Sequence, residues 1–100
     1  MLFLRLAHSD MNLQEAIDAP LFNTAHFQGS FDPRAVQPGH LMVEPDFGEA
    51  VIADLRARGH AVEVAEPWTI GRLTAASRSP DGMLRAAATP RLMQAYAIGR

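Results

Sequence analysis

Between residues 40 and 68 the apolar positions change their period twice. Leu41, Met42 and Val43 form a short apolar run that Pro45 closes, which predicts a strand over 41–44. Phe47, Val51 and Leu55 then recur every four residues, with Ile52 beside them, as on one face of a helix. Val62 and Val64 alternate with Glu63, which predicts a second strand. The joints carry their own signals. Asp46 stands at an N-cap position with Glu49 three residues on, the spacing of a capping box. Gly59 follows Arg56 and Arg58 as a left-handed stop. The expected unit is strand–helix–strand, with parallel pairing and a right-handed crossover as the first choice and a split arrangement as the alternative. Trp68 is expected at the rim of the core.

The flanks follow other rules. Residues 2–7 are apolar except Arg5, a pattern for a helix covered on all sides, and no capping residue precedes it. That pattern favours a chain cut from a longer polypeptide over a short frayed helix. Asn12 and Glu15 make a second capping box ahead of Leu13, Ala16 and Ile17, and Pro20 ends that helix. Residues 21–39 show no period and carry Phe22, Phe27 and Phe31 among polar residues, Gly and Pro. This reads as a long loop, of a length that is usually functional. Ser79-Pro80-Asp81-Gly82 is a turn sequence, so 70–77 and 83–88 are expected to form a hairpin whose strands are rich in alanine. Residues 89–100 form a tail that fits either a helical turn or a strand.

The expected organisation is therefore one domain or fragment over 1–100. Helical segments occupy 1–20, a loop 21–39, strand–helix–strand 40–68, a hairpin 69–88 and a tail 89–100. The fold class is α+β. Composition limits the rest. With 100 residues, 48% of them hydrophobic, the chain is globular but its own core is thin. Net charge is −2, and the nine basic residues, all arginine, are scattered, which argues against nucleic acid as a partner. Cysteine is absent, which removes disulfides, thiolate metal sites and a cysteine nucleophile. No apolar run reaches the length of a membrane span, and the first ten residues lack a signal-peptide cleavage site.

Candidate chemistry is sparse. His8, His26, His40 and His60 do not stand at metal-ligand spacing. His26 and His40 could meet Asp32 or Glu44 on a metal, but separate hydrogen-bonded roles account for them better. His60 follows the helix stop and can face the negative end of the helix. The hydroxyls of Ser9, Ser30, Ser77, Ser79, Thr24, Thr69, Thr74 and Thr89 lie in no nucleophile motif. Asp46 and Glu49 could be read as an acid–base pair, and the capping box explains both more simply. No glycine pattern forms a phosphate loop.

Residues 12–20, Asn-Leu-Gln-Glu-Ala-Ile-Asp-Ala-Pro, resemble a segment of the γ-glutamyltranspeptidase family, in the small subunit just beyond its active-site loops. The resemblance continues in order through Val43-Glu44, the helix from Asp46 to His60, the strand from Val62 to the Pro67-Trp68 corner, Ser79-Pro80-Asp81-Gly82, and 86–91. It has departures. Leu21 stands where the family has Arg, Asn23 where His is common, Arg72 where Gln is frequent, and Thr89 where Asp precedes Pro-Arg. Residues 92–100 also differ from the usual Gly- and Ala-rich finish.

The resemblance implies one partial layer of the αββα sandwich of N-terminal-nucleophile (Ntn) hydrolases. It implies an enzyme that cleaves its own precursor, exposing a threonine that attacks a γ-glutamyl amide. The acyl group then passes to an amino acid, a peptide or water. In the family that threonine, a Ser-Ser pair and the Gly-Gly oxyanion donors precede the helix that 2–7 would continue. The resemblance therefore assigns no catalytic, cofactor-binding or metal-ligating residue to this chain. It implies a C-terminal structural portion, inert alone, whose partners are the large subunit and the rest of the small subunit. Isolated, the chain is expected to self-associate as a dimer through its uncovered apolar surface. Family resemblance points to the periplasm or exterior, although cytoplasmic members leave localisation open. The alternative reading is a stand-alone α+β binding or assembly module.

Overall fold

The computed structural model describes residues 1–93 and 95–98. The element order is α1 (Leu2–His8), α2 (Leu13–Asp18), β1 (Phe22–Thr24), β2 (His40–Val43), a 3-10 turn (Pro45–Phe47), α3 (Glu49–Ala57), β3 (Ala61–Val64), β4 (Thr74–Arg78), β5 (Leu84–Ala88) and a second 3-10 turn (Arg91–Met93). The class is α+β, as the alternation of periods predicts. The chain divides into two compact units, residues 1–19 with 72–100, and residues 20–71.

The second unit holds the strand–helix–strand. β2 and β3 are adjacent and parallel, with Leu41 opposite Val62 and Val43 opposite Val64, so the split arrangement is excluded. β1 adds an antiparallel strand on the other edge of β2, with Phe22 opposite Val43. That strand lies inside the segment read as a loop. Its three residues are too few to show a period, and all three are exposed, so no burial alternation marks it. Val43, Ile52, Leu21 and Ile70 are the buried apolar residues of this unit.

The helix stops as predicted and starts differently. Gly59 has φ 94°. Its N–H reaches the Arg56 carbonyl and the His60 N–H reaches that of Leu55, the paired bonds of a Schellman end. At the start, Pro45 instead opens a 3-10 turn that contains Asp46, and Gly48, at φ 84°, precedes the first residue of α3. Glu49 is thus the first helical residue and not the third, and no side chain caps α3. The predicted Asp46–Glu49 capping box does not form, because a proline placed directly before Asp46 pulls it into the turn. The buried face shifts accordingly. Ile52 is 2% exposed and centres the face that packs toward β3, while Val51 is exposed.

In the first unit α2 packs on β4 and β5, burying Ala16, Ile17 and Ala87. Asn12 caps α2 in the predicted capping box, its Oδ1 accepting the Glu15 N–H while Glu15 Oε2 accepts the Asn12 N–H, both at 2.9 Å. β4 and β5 pair antiparallel around the predicted turn, closed by the Ser79 N–H on the Met83 carbonyl. β4 begins at Thr74, so 70–73 are not strand. The tail contributes the 3-10 turn at Arg91–Met93, and the tail residues Gln94, Gly99 and Arg100 lie outside the described residues.

α1 inverts the expected burial. Phe3 is 75% exposed, and Leu4 and Leu6 are also exposed. The one residue of the run that is buried is Arg5, 8% exposed. Its guanidinium has a partner that outweighs the apolar pattern, described next.

Candidate functional site

The most organised polar centre lies in the first unit, at the C-terminal end of α2. A helix leaves its last four carbonyls without intrahelical partners. Here the carbonyls of residues 16 to 19 all receive guanidinium N–H groups. Arg5 Nη1 donates to Ala16 at 3.0 Å and Ala19 at 3.2 Å. Arg91 Nη1 donates to Ile17 at 2.9 Å, and its Nη2 to Asp18 at 3.1 Å and Ala19 at 3.3 Å. Thr89, fully buried, accepts from the Arg91 N–H and from Nη1 at 3.2 Å each. Positive charge at this end also complements the helix dipole. These donors tie both arginines to the end of α2 through its carbonyls and, for Arg91, through the Thr89 hydroxyl.

Sequence reasoning did not single out either arginine. A signal was present: one charged residue in an otherwise apolar helix, and an arginine directly after Thr89-Pro90.

The candidate nucleophiles are dispersed. Thr24 Oγ1 donates to the His40 carbonyl at 2.9 Å and Thr69 Oγ1 to that of Glu66 at 2.7 Å. Ser79 Oγ accepts from Arg85 Nη1 at 2.6 Å. Ser9, Ser30 and Thr74 are exposed, and Ser77 is half-buried on β4. Among the described residues none of these hydroxyls is hydrogen-bonded to a histidine ring or a carboxylate, the pairing that activation requires.

The histidines and acids also have separate roles. His40 Nε2 meets Glu63 Oε2 at 2.9 Å across the β2–β3 pair. His26 Nδ1 accepts the Gly39 N–H at 3.0 Å. Glu44, buried, accepts the Leu21 N–H at 2.9 Å, and Asp32 lies 3.7 Å from Arg34. His8 and His60 are exposed. No group of three or more His, Asp or Glu able to hold a metal occurs among the described residues. Asp46 and Glu49 are exposed. Beside the N-terminus of α2 an open groove of about 440 Å³ is lined by Asn12, Leu13, Gln14, Arg85, Ala86 and Ala87.

A sequence model of the family described as gamma-glutamyltranspeptidase matches residues 1–99. The chain belongs to this family. Among solved structures, the γ-glutamyltranspeptidase-family chain is similar to LmbA2991HD, with 47% identity and a TM-score of 0.91 over 99% of this chain and 18% of that one. It is similar to cephalosporin acylase from Bacillus halodurans, with 25% identity and a TM-score of 0.70 over 90% of this chain and 15% of that one. It shares the fold of γ-glutamyltranspeptidase from Pseudomonas nitroreducens, at 17% identity and a TM-score of 0.65 over 99% of this chain and 45% of that one. The chain thus spans less than half the length of each of these relatives. No curated protein matches it.

Residues 12–20 are the capped α2 and its exit, and Thr89-Pro90-Arg91 supplies the guanidinium that closes it. No helix among the described residues is long and apolar enough to cross a membrane.

Proposed function

We propose that this chain is the C-terminal structural portion of a γ-glutamyltranspeptidase-like enzyme. The parent enzyme transfers a γ-glutamyl group from glutathione-type donors to amino acids, peptides or water. Its nucleophilic threonine, on this reading, lies outside these residues, and the chain alone is inert. The observation that carries the proposal is the continuous family match over 1–99 joined to the 18% share of the 47%-identical relative. The dispersed hydroxyls support it, since none stands beside a base.

The role assigned to the chain is scaffold. Its two sheets would form part of an αββα sandwich whose site is assembled by the large subunit and the rest of the small subunit. Exposed apolar residues fit such a role. Phe3 and Leu4 on α1, Phe31 at 86% exposure, and Leu84 on β5 would be covered in the parent protein.

The test is hydrolysis of a γ-glutamyl anilide by the purified chain. No turnover is expected, and turnover that persists through stringent purification overturns the inert reading. Light scattering checks the surface argument. Self-association to a dimer is expected of the isolated chain, and a strictly monomeric mass at high concentration counts against it.

A further inference from the structure

We propose that His26 is a pH-operated latch on the base of the loop between β1 and β2. The β1–β2 ladder ends at Thr24 opposite Leu41. Beyond it, side chains continue the ties between the two strands. Thr24 Oγ1 donates to the His40 carbonyl at 2.9 Å and accepts the His26 backbone N–H at 3.2 Å. The Gly39 N–H then donates to His26 Nδ1 at 3.0 Å, and the Gln37 N–H to the Ala25 carbonyl at 2.9 Å. The His26 ring meets Phe27 edge-on at 5.5 Å between centroids. Farther out, the loop is held by the Gly29 N–H on the Ala35 carbonyl and the Arg34 N–H on that of Phe31.

One of these ties depends on protonation state. His26 Nδ1 accepts, so the ring is neutral with its proton on Nε2. Protonation converts Nδ1 into a donor facing the Gly39 donor, and the bond is lost. The remaining base ties, through Thr24 and Gln37, do not titrate. Acid therefore loosens the loop that carries the exposed Phe27 and Phe31 without unpairing β1 from β2.

Other titratable and charged groups on neighbouring elements have their own places. β1 carries none. β2 contributes His40, with Glu44 following it. β3 contributes Glu63, with His60 preceding it, and the loop contributes Asp32 and Arg34. His40 engages Glu63, Arg34 faces Asp32, and Glu44 holds the Leu21 N–H. His40 Nε2 contacts Glu63, and its Nδ1 is buried without a hydrogen-bond partner.

The experiment is amide hydrogen exchange at Gly39 in the full chain, corrected for intrinsic rates, together with the 15N shift of His26 Nδ1. Between about pH 7.5 and about pH 5, Gly39 protection is expected to fall about three- to tenfold, the share of one exposed hydrogen bond. The fall should track the Nδ1 titration. In His26→Gln, whose carbonyl accepts without titrating, protection should stay level over the same range. In His26→Phe, which keeps a ring beside Phe27, it should be low throughout. Unchanged wild-type protection at the acid end overturns the proposal. So does an equal fall in His26→Gln, which would move the effect to His40 and Glu63. A fall whose midpoint differs from that of the Nδ1 shift also overturns it, and this reading needs no variant to fold.

Discussion

Arg91→Met tests the clamp on α2 directly. Methionine keeps much of the apolar stem and removes all the donors. Arg91 is 1% exposed, and its loss strands the carbonyls of Ile17 and Asp18 and removes one of two donors on Ala19. It also removes a donor from the buried Thr89 hydroxyl. A hydrogen bond from a charged group contributes about 1.5–3 kcal/mol, and stranding a buried polar group costs about 1–3 kcal/mol. These overlap, so about 3–5 kcal/mol is expected, against the roughly 5–15 kcal/mol that holds a typical domain. At roughly 4–8 °C per kcal/mol for a domain of this size, Tm should fall by at least about 12 °C. Thermal denaturation followed by circular dichroism reads it. Arg91→Lys should fall between the two, because an ammonium keeps the charge but cannot span the same carbonyls. Arg5 and Arg91 share the Ala19 carbonyl, so Arg5→Met combined with Arg91→Met should depart from additivity. A Tm change under about 4 °C for Arg91→Met would refute the clamp.

Five further substitutions probe the rest of the scaffold by urea denaturation. Asn12→Ala opens the capping box of α2 and should cost about 1 kcal/mol, whereas Asp46→Ala, at the box that does not form, should change stability by less than about 0.5 kcal/mol. Gly71→Val places a branched side chain at φ 77° with Leu21 Cδ1 3.1 Å from the new Cβ, and should cost about 1–3 kcal/mol. Ile52→Ala hollows the buried face of α3 for about 2–5 kcal/mol, while Val51→Ala on its exposed flank should cost far less.

Much of the fold was legible in the sequence because its signals are local. The Gly59 stop, the Asn12–Glu15 box and the Ser79-Pro80-Asp81-Gly82 turn each involve residues within a few positions of one another. What was missed depends on distant partners or competing local signals. β1 exists only because β2 lies beside it, and three exposed residues carry no period. Asp46 satisfied the capping pattern, but Pro45 claimed it for a 3-10 turn. Arg5 stood as the one exception in an apolar run with no role assigned, because its acceptors lie at residues 16 and 19. The candidate hydroxyls and histidines have separate backbone and side-chain partners, which motif spacing does not reveal.

The placement of the family-matching residues gives the resemblance a physical content that the motifs alone lacked. α2 has six residues, too short to persist by helix propensity. It is held by devices at both ends and by burial between them. Asn12 and Glu15 satisfy its first N–H groups, Ala16 and Ile17 are fully buried, and Pro20 forces the chain out of helical geometry. Its last carbonyls are then taken by Arg91, more than seventy positions away in the chain. Segments 12–20 and 86–91 are each incomplete without the other. A helix that must be ended by a distant arginine requires β5 to deliver that arginine, and β5 reaches α2 through the Gln14 side-chain amide on the Ala88 carbonyl. In this chain the residues of both segments act in folding. Their role in catalysis, on the reading proposed above, is to hold the frame on which a site made elsewhere is mounted.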